Sequence, residues 1–178
     1  MMWRTIGHDR TVNALRRGLE GGRLSHAYLV VGPRHVGKGT LALDLSRAVN
    51  CLASERPCNE CTQCRRITDG LHADVRVLSV EQGRSDGRNP VAIGIDQVRD
   101  IQREASLKPY EGRCRVFIFE SAEHLSEEAA NSLLKTLEEP PDQVIIVLLA
   151  PDAARLPSTI VSRCQLLELR PLSLSLIA

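Results

Sequence analysis

Aromatic side chains are scarce in this chain of 178 residues: Trp3, Tyr28, Tyr110, Phe117 and Phe119 are all it has. Charge imbalance is missing as well, with a formal net charge of +1. A single-stranded nucleic-acid binder needs stacking faces and phosphate-tracking charge, and this composition offers little of either. Long hydrophobic runs are absent too. The longest, Val144 to Ala150, is far short of a bilayer-spanning helix. The opening residues, MMWRTIGHDR, contain no apolar signal-peptide core. These absences predict a cytoplasmic protein with no membrane partner. Lysine is rare, with three (Lys38, Lys108, Lys135) beside 20 arginines, so a lysine inside a motif is more informative than usual. No internal repeat or low-complexity tract is present.

What is present reads as alternating helices and strands. Val12, Leu15 and Leu19 recur at helical spacing and stop at Gly21-Gly22. Residues 27–31 form a short apolar run bounded by turn residues, the pattern of a buried strand. A second helix is expected from about Lys38, with Leu41, Leu45 and Ala48 on one face. Residues 75–80 and 116–119 read as strands, and 81–90 reads as a loop. Asp96 is expected to cap a helix carrying Val98, Ile101 and Ala105. Ser126 is expected to cap another, with Ala130, Leu133, Leu134 and Leu137, ending at Pro140-Pro141. Residues 144–149 and 165–169 complete five strands. The result is a three-layer α/β domain over residues 1–171 with a mostly parallel sheet. In the tail, Ser173 is placed to cap a helix, so 172–178 reads as the start of a following domain.

Gly32-x4-Gly37-Lys38 follows a strand and opens a helix, the context a phosphate-binding loop requires. Glycines let backbone N–H groups curl around phosphate oxygens, and the helix N-terminus adds positive potential. Lys38 would reach the terminal phosphates. The next residue, where a hydroxyl normally holds Mg²⁺, is Gly39; Thr40 carries a hydroxyl about 100° further round the helix. A hydrolysing site also needs an acid at the end of a neighbouring strand, followed by a carboxylate that activates water. Here the strand ends in Glu120-Ser121. Glu120 can serve a metal, but Ser121 is no base near neutral pH. Glu123 is a more distant substitute, and with His124 it reads more plainly as a solvated helix start. Losing a general base typically costs about 10² to 10⁴ in rate. Both changes together predict a nucleotide-type site, with ATP as its possible ligand, that does not turn over.

Cys51, Cys58, Cys61 and Cys64 fall within fourteen residues, with two consecutive C-x2-C steps. In a reducing compartment this spacing predicts a Cys₄ zinc site, structural because no coordination position stays open. Cys114 and Cys164 need no role beyond packing.

Taken in order, LSHAYLVVGPRHVGKGT, the cysteine module, NSLLKTLEEPP and LPSTIVSRCQ resemble the first domain of bacterial clamp-loader subunits, the DNA polymerase III gamma/tau and delta-prime group. The resemblance covers residues 3–172. It implies an AAA+ P-loop NTPase fold with a small zinc-binding insertion. It also implies a hetero-pentamer with gamma/tau and delta subunits that uses ATP to place a sliding clamp on primed DNA. In gamma/tau subunits the loop ends in Lys-Thr, the acidic strand in Asp-Glu, and a polar sensor side chain follows the next strand. This chain has Gly39, Ser121 and Pro151 there. Those departures look like delta-prime, which is not expected to hydrolyse ATP. The arginine of SRC, Arg163, is by resemblance a finger reaching ATP on the adjoining subunit; on the residues alone it reads equally as a surface arginine in a turn. Lys135, Glu138 and Glu139 read either as a solvated face, with Lys135 and Glu139 at i,i+4 spacing, or as an intersubunit surface. Two other readings stay open: a gamma/tau-type ATPase using Thr40, Glu120 and Glu123, and a zinc-bearing DNA-binding module.

Overall fold

Short apolar runs between turn residues become strands, and the longer amphipathic stretches between them become helices. A computed structural model describes residues 2–80 and 92–171. In chain order the elements are α1 (Asp9–Glu20), β1 (Ala27–Val31), α2 (Lys38–Asn50), α3 (Thr62–Thr68), β2 (Val75–Leu78), α4 (Ile95–Ala105), β3 (Arg115–Phe119), α5 (Glu127–Glu138), β4 (Val144–Ala150), α6 (Ser158–Val161) and β5 (Gln165–Glu168). The expected loop at 81–90, Ser173 and the following domain at 172–178 lie outside the described residues.

The strands form one sheet in the order β2-β3-β4-β1-β5. Every strand pair in it is parallel, where the sequence predicted a mostly parallel sheet. β1, β3 and β4 are buried along their whole length, as central strands covered on both faces must be. Alternation of side chains then assigns residues to two cores. Leu29, Phe117, Phe119, Ile146 and Leu148 face α4 and α5 through Val98, Ile101, Leu133 and Leu137. Tyr28, Val30, Val116, Ile118 and Val147 face α1 and α2 through Leu15, Leu41 and Leu45. The edge strands are more open: Val77 in β2 and Leu166 in β5 are exposed.

Ser126 caps α5 as expected, accepting a bond from the Ala129 N–H. The cap of α4 differs. Gly94 is the residue before the helix, and its N–H is held by Gln97 Oε1 at 3.0 Å. Asp96 lies inside the first turn, where its charge favours the helix N-terminus.

α2 is buried on more sides than its apolar face predicts. Asp44 and Arg47, fully buried, form an ion pair at 2.5 Å. Asp44 also accepts bonds from Thr5 N–H (2.8 Å) and Thr5 Oγ1 (2.6 Å). Arg47 Nη1 reaches Thr68 Oγ1 at 3.3 Å, and Thr68 Oγ1 donates to the Cys64 carbonyl at 2.9 Å. One buried pair thus joins the N-terminal segment, α2 and the cysteine segment. Breaking such a pair strands the partner charge, so it fixes relative position whatever its net contribution to stability.

Asp74, just before β2, organises the turn that leads into β3. Its carboxylate accepts backbone N–H bonds from Tyr110, Glu111 and Gly112 at 2.7–2.8 Å. Burial alone would raise its pKa; those three bonds and the Arg115 charge outweigh it and hold the carboxyl below its ordinary value. Asp74→Ala is expected to cost about 3 kcal/mol in urea unfolding at pH 7, since bonds to a charged acceptor are lost together. Because the folded-state pKa is depressed, this stabilisation is complete above the unfolded carboxylate value near 3.9 and is lost as pH falls through the lower folded value. The gap between wild type and variant should therefore close only in that acid range.

Candidate functional site

The phosphate-loop motif spans the turn from β1 to α2. Gly32 has φ 153, and a Cβ there would lie 2.4 Å from the Leu169 carbonyl oxygen, so only glycine lets the loop pass the end of β5. His35 (φ 63) and Gly37 (φ 100) take left-handed conformations, which curl the loop and start α2. The Leu41 N–H closes the first helical bond to the Gly37 carbonyl at 2.9 Å.

Parallel register brings the second half of the site alongside. Val31 at the end of β1 pairs with Ala150 at the end of β4. Phe119 at the end of β3 pairs with Leu148. A cleft of about 580 Å³ opens at these carboxyl ends, where open α/β sheets bind ligands. Gly37, Lys38, Gly39, Thr40, Glu120, Ser121, Glu123 and Pro151 all line it. The structure therefore gathers the residues of the two separate motifs into one place, with Gly32 at the root of the loop.

Lys38 Nζ donates to the Gly32 carbonyl (2.7 Å) and the Pro33 carbonyl (2.8 Å). Burial lowers its pKa; Glu123 raises it and Arg34 lowers it. Gly39 is not imposed by space, because a Cβ there would meet nothing within 4 Å. Ser121 occupies left-handed space at φ 66, a strained position for a residue with a side chain. It opens a 3-10 turn at Ala122–His124. That turn corrects the reading of Glu123. Both it and His124 line the cleft, but its side chain is only 13% exposed, whereas His124, at 52%, is solvated as expected.

Arg163 stands apart. It lies in the turn between α6 and β5, and it does not line the cleft. Its Nη2 donates to Glu138 Oε1 at 2.6 Å and its Nη1 to the Thr159 carbonyl at 2.8 Å. The side chain is 34% exposed, so the guanidinium is on the surface. Among the described residues Glu138, not Glu139, takes the ion pair on this face, and no Lys135–Glu139 pair forms.

The four cysteines come together. Cys51 ends α2, Cys61 precedes α3, and Cys51 and Cys64 are fully buried. Their sulfurs all lie within 4.8 Å of one another. The Cys58 N–H points at Cys51 Sγ (3.4 Å) and the Cys61 N–H at Cys58 Sγ (3.3 Å), bonds that stabilise thiolates. Burial pushes the Cys61 thiol up, but hydrogen bonds from Leu52 and Cys64 bring it down to about 6. Four thiolates at Zn–S lengths of about 2.3 Å would sit about 3.8 Å apart, so this cluster can hold a tetrahedral metal with small adjustment. Cys114 and Cys164 are half-buried and pack against the two cores.

A family model described as "DNA polymerase III, delta subunit" matches residues 7–173. The chain belongs to that family. It is 37% identical to DNA polymerase III subunit delta' of Bacillus subtilis (strain 168), over 92% of this chain and 47% of that protein. It is 36% identical to subunit tau of the same organism, over 90% of this chain and 27% of that protein. The chain thus spans less than half the length of either relative. Among solved structures it superposes on a DNA polymerase III gamma subunit-related protein from Thermotoga maritima with TM-score 0.65 at 24% identity, over 93% of this chain and 47% of that one. It also superposes on the Thermotoga maritima RuvB Holliday junction branch migration motor, with TM-score 0.55 at 21% identity, over 93% of this chain and 45% of that one. The resemblance read from the motifs and the P-loop NTPase fold are both borne out. Near-equal identity to delta' and tau leaves the choice between those branches to the residues of the cleft. Among the described residues no helix is long and apolar enough to cross a membrane.

Proposed function

We propose that this chain is the AAA+ domain, residues 1–171, of a delta-prime-type subunit of the bacterial DNA polymerase III clamp loader. In this reading it holds nucleotide without hydrolysing it and supplies Arg163 to ATP on a neighbouring gamma/tau subunit. Gamma/tau and delta subunits are its direct partners in a hetero-pentamer, and the sliding clamp and primed DNA are reached through that complex. The reading is carried by one observation: the cleft keeps its phosphate-holding groups but lacks a hydroxyl at Gly39 and an acid at Ser121, while Arg163 lies outside it on the surface.

The chemistry follows from that separation. Loop N–H groups and Lys38 bind and orient phosphates. Without an acid at Ser121, no group next to Glu120 takes the proton from an attacking water. Arg163, a planar cation with part of its fork exposed, can stabilise charge developing on a phosphoryl group presented by another chain. Glu138 and the Thr159 carbonyl fix where it points. The second reading, a gamma/tau-type ATPase with variant motifs, draws support from Glu123, which faces the cleft.

The cysteine cluster is assigned to structural zinc. All four positions of a tetrahedral ion would be taken by Cys51, Cys58, Cys61 and Cys64, leaving none for substrate. The ion's role is to pin the segment between α2 and β2.

Arg163→Ala is expected to leave folding and metal content unchanged, because a surface ion pair contributes at most about 1 kcal/mol. In the assembled clamp loader it should slow ATP turnover at the adjoining site by about 10³ or more. Unaltered turnover in a complex shown to be assembled contradicts the role. Protein purified without added metal should contain about one zinc per chain, lost in Cys64→Ser; iron, or no metal, contradicts the zinc assignment.

A further inference from the structure

Glu123 is the residue of the cleft that neither the phosphate loop nor the surface arginine explains. Its Oε1 lies 3.7 Å from His124 Nε2. Its Oε2 is buried and has no hydrogen-bond partner among the described residues. Buried polar atoms are almost always satisfied, and an orphaned carboxylate oxygen facing a cleft marks a place where a ligand supplies the partner. Lys38 does not fill that role: its ammonium bonds the Gly32 and Pro33 carbonyls instead. The two charges still sense each other, because Glu123 raises the Lys38 pKa against the burial that lowers it.

Besides the imidazoles of His35 and His124, the donors around this point are oxygen. Glu120 and Glu123 bring carboxylates, and Thr40 and Ser121 bring hydroxyls. Hard oxygen donors beside a phosphate loop suit magnesium carried on a nucleotide, since that ion keeps several waters and accepts one or two protein carboxylates. The residues therefore fit the ion despite Gly39.

We propose that Glu123 is the carboxylate through which this cleft recognises the divalent cation of a metal–nucleoside triphosphate complex, replacing the hydroxyl missing at Gly39. The proposal rests on reading the cleft as a nucleotide site; it is independent of Arg163. Its consequence is selectivity. A carboxylate in the cleft repels the bare triphosphate and attracts the metal-bound form, so nucleotide occupancy depends on magnesium although nothing is hydrolysed.

Calorimetric titration of the chain with ATP, in Mg²⁺ or in EDTA, tests this on the wild type, Glu123→Gln and Lys38→Ala. The wild type should bind ATP roughly tenfold or more tightly with Mg²⁺ than without it. Glu123→Gln, nearly isosteric, should bind more weakly in Mg²⁺ and more tightly in EDTA, so that most of the difference disappears. Lys38→Ala should weaken both titrations. If Lys38→Ala leaves binding unchanged, or the wild type binds no ATP, the cleft reading and this proposal fall together. If Lys38→Ala loses binding but Glu123→Gln keeps the wild-type magnesium dependence, only the role of Glu123 is overturned.

Discussion

In-register parallel pairing of β1, β4 and β3 is the constraint on which the site depends. Three buried strands end within two residues of one another in register, Val31 beside Ala150 and Phe119 beside Leu148. Whatever follows each strand is therefore delivered to one edge of the sheet: the loop from Gly32, the acidic turn from Glu120, and Pro151. The apolar strands are covered on both faces, so the core sets where the cleft lies. Gly32, squeezed against the Leu169 carbonyl, ties the loop to β5 as well.

On that frame, the groups that would hold a phosphate and the groups that would cut it are decoupled. Backbone N–H groups, the start of α2 and Lys38 come with the turn itself. The hydroxyl at 39 and the acid at 121 are side-chain additions, and neither is present. Open space beside Gly39 means that no packing demand removed the hydroxyl. The strained backbone at Ser121 persists although its side chain cannot act as a base, and it turns the chain so that Glu123 folds back into the cleft. Arg163 lies outside that arrangement, held by Glu138 from α5.

Much of this was legible in the residues. Strands could be found because a fully buried parallel strand is a continuous apolar run, and the cysteine cluster because cysteines on short C-x2-C steps are near in space by necessity. Ser126 was recognisable as a cap from its side chain. Asp96 misled for the same reason: Gly94 starts α4 with no side chain, and Gln97, the N3 half of a capping box, is hard to recognise when the first half has no side-chain oxygen. The burial of Asp44 and Arg47 has no signal in the residue pattern of α2, because their partners Thr5 and Thr68 are distant in sequence. Glu138 was hidden likewise, its partner lying 25 residues on. Glu123 appeared solvated because spacing alone does not reveal a tight 3-10 turn after Ser121. Long-range pairings and irregular turns were thus the unreadable part; periodic burial and motif chemistry were the readable part.

The central claim, that this cleft binds but does not cut, is tested most directly by steady-state ATP turnover of the isolated chain with Mg²⁺ and primed DNA. The account predicts a rate indistinguishable from that of Lys38→Ala. Turnover well above that background, abolished by Lys38→Ala, would contradict it and make the chain an ATPase in its own right.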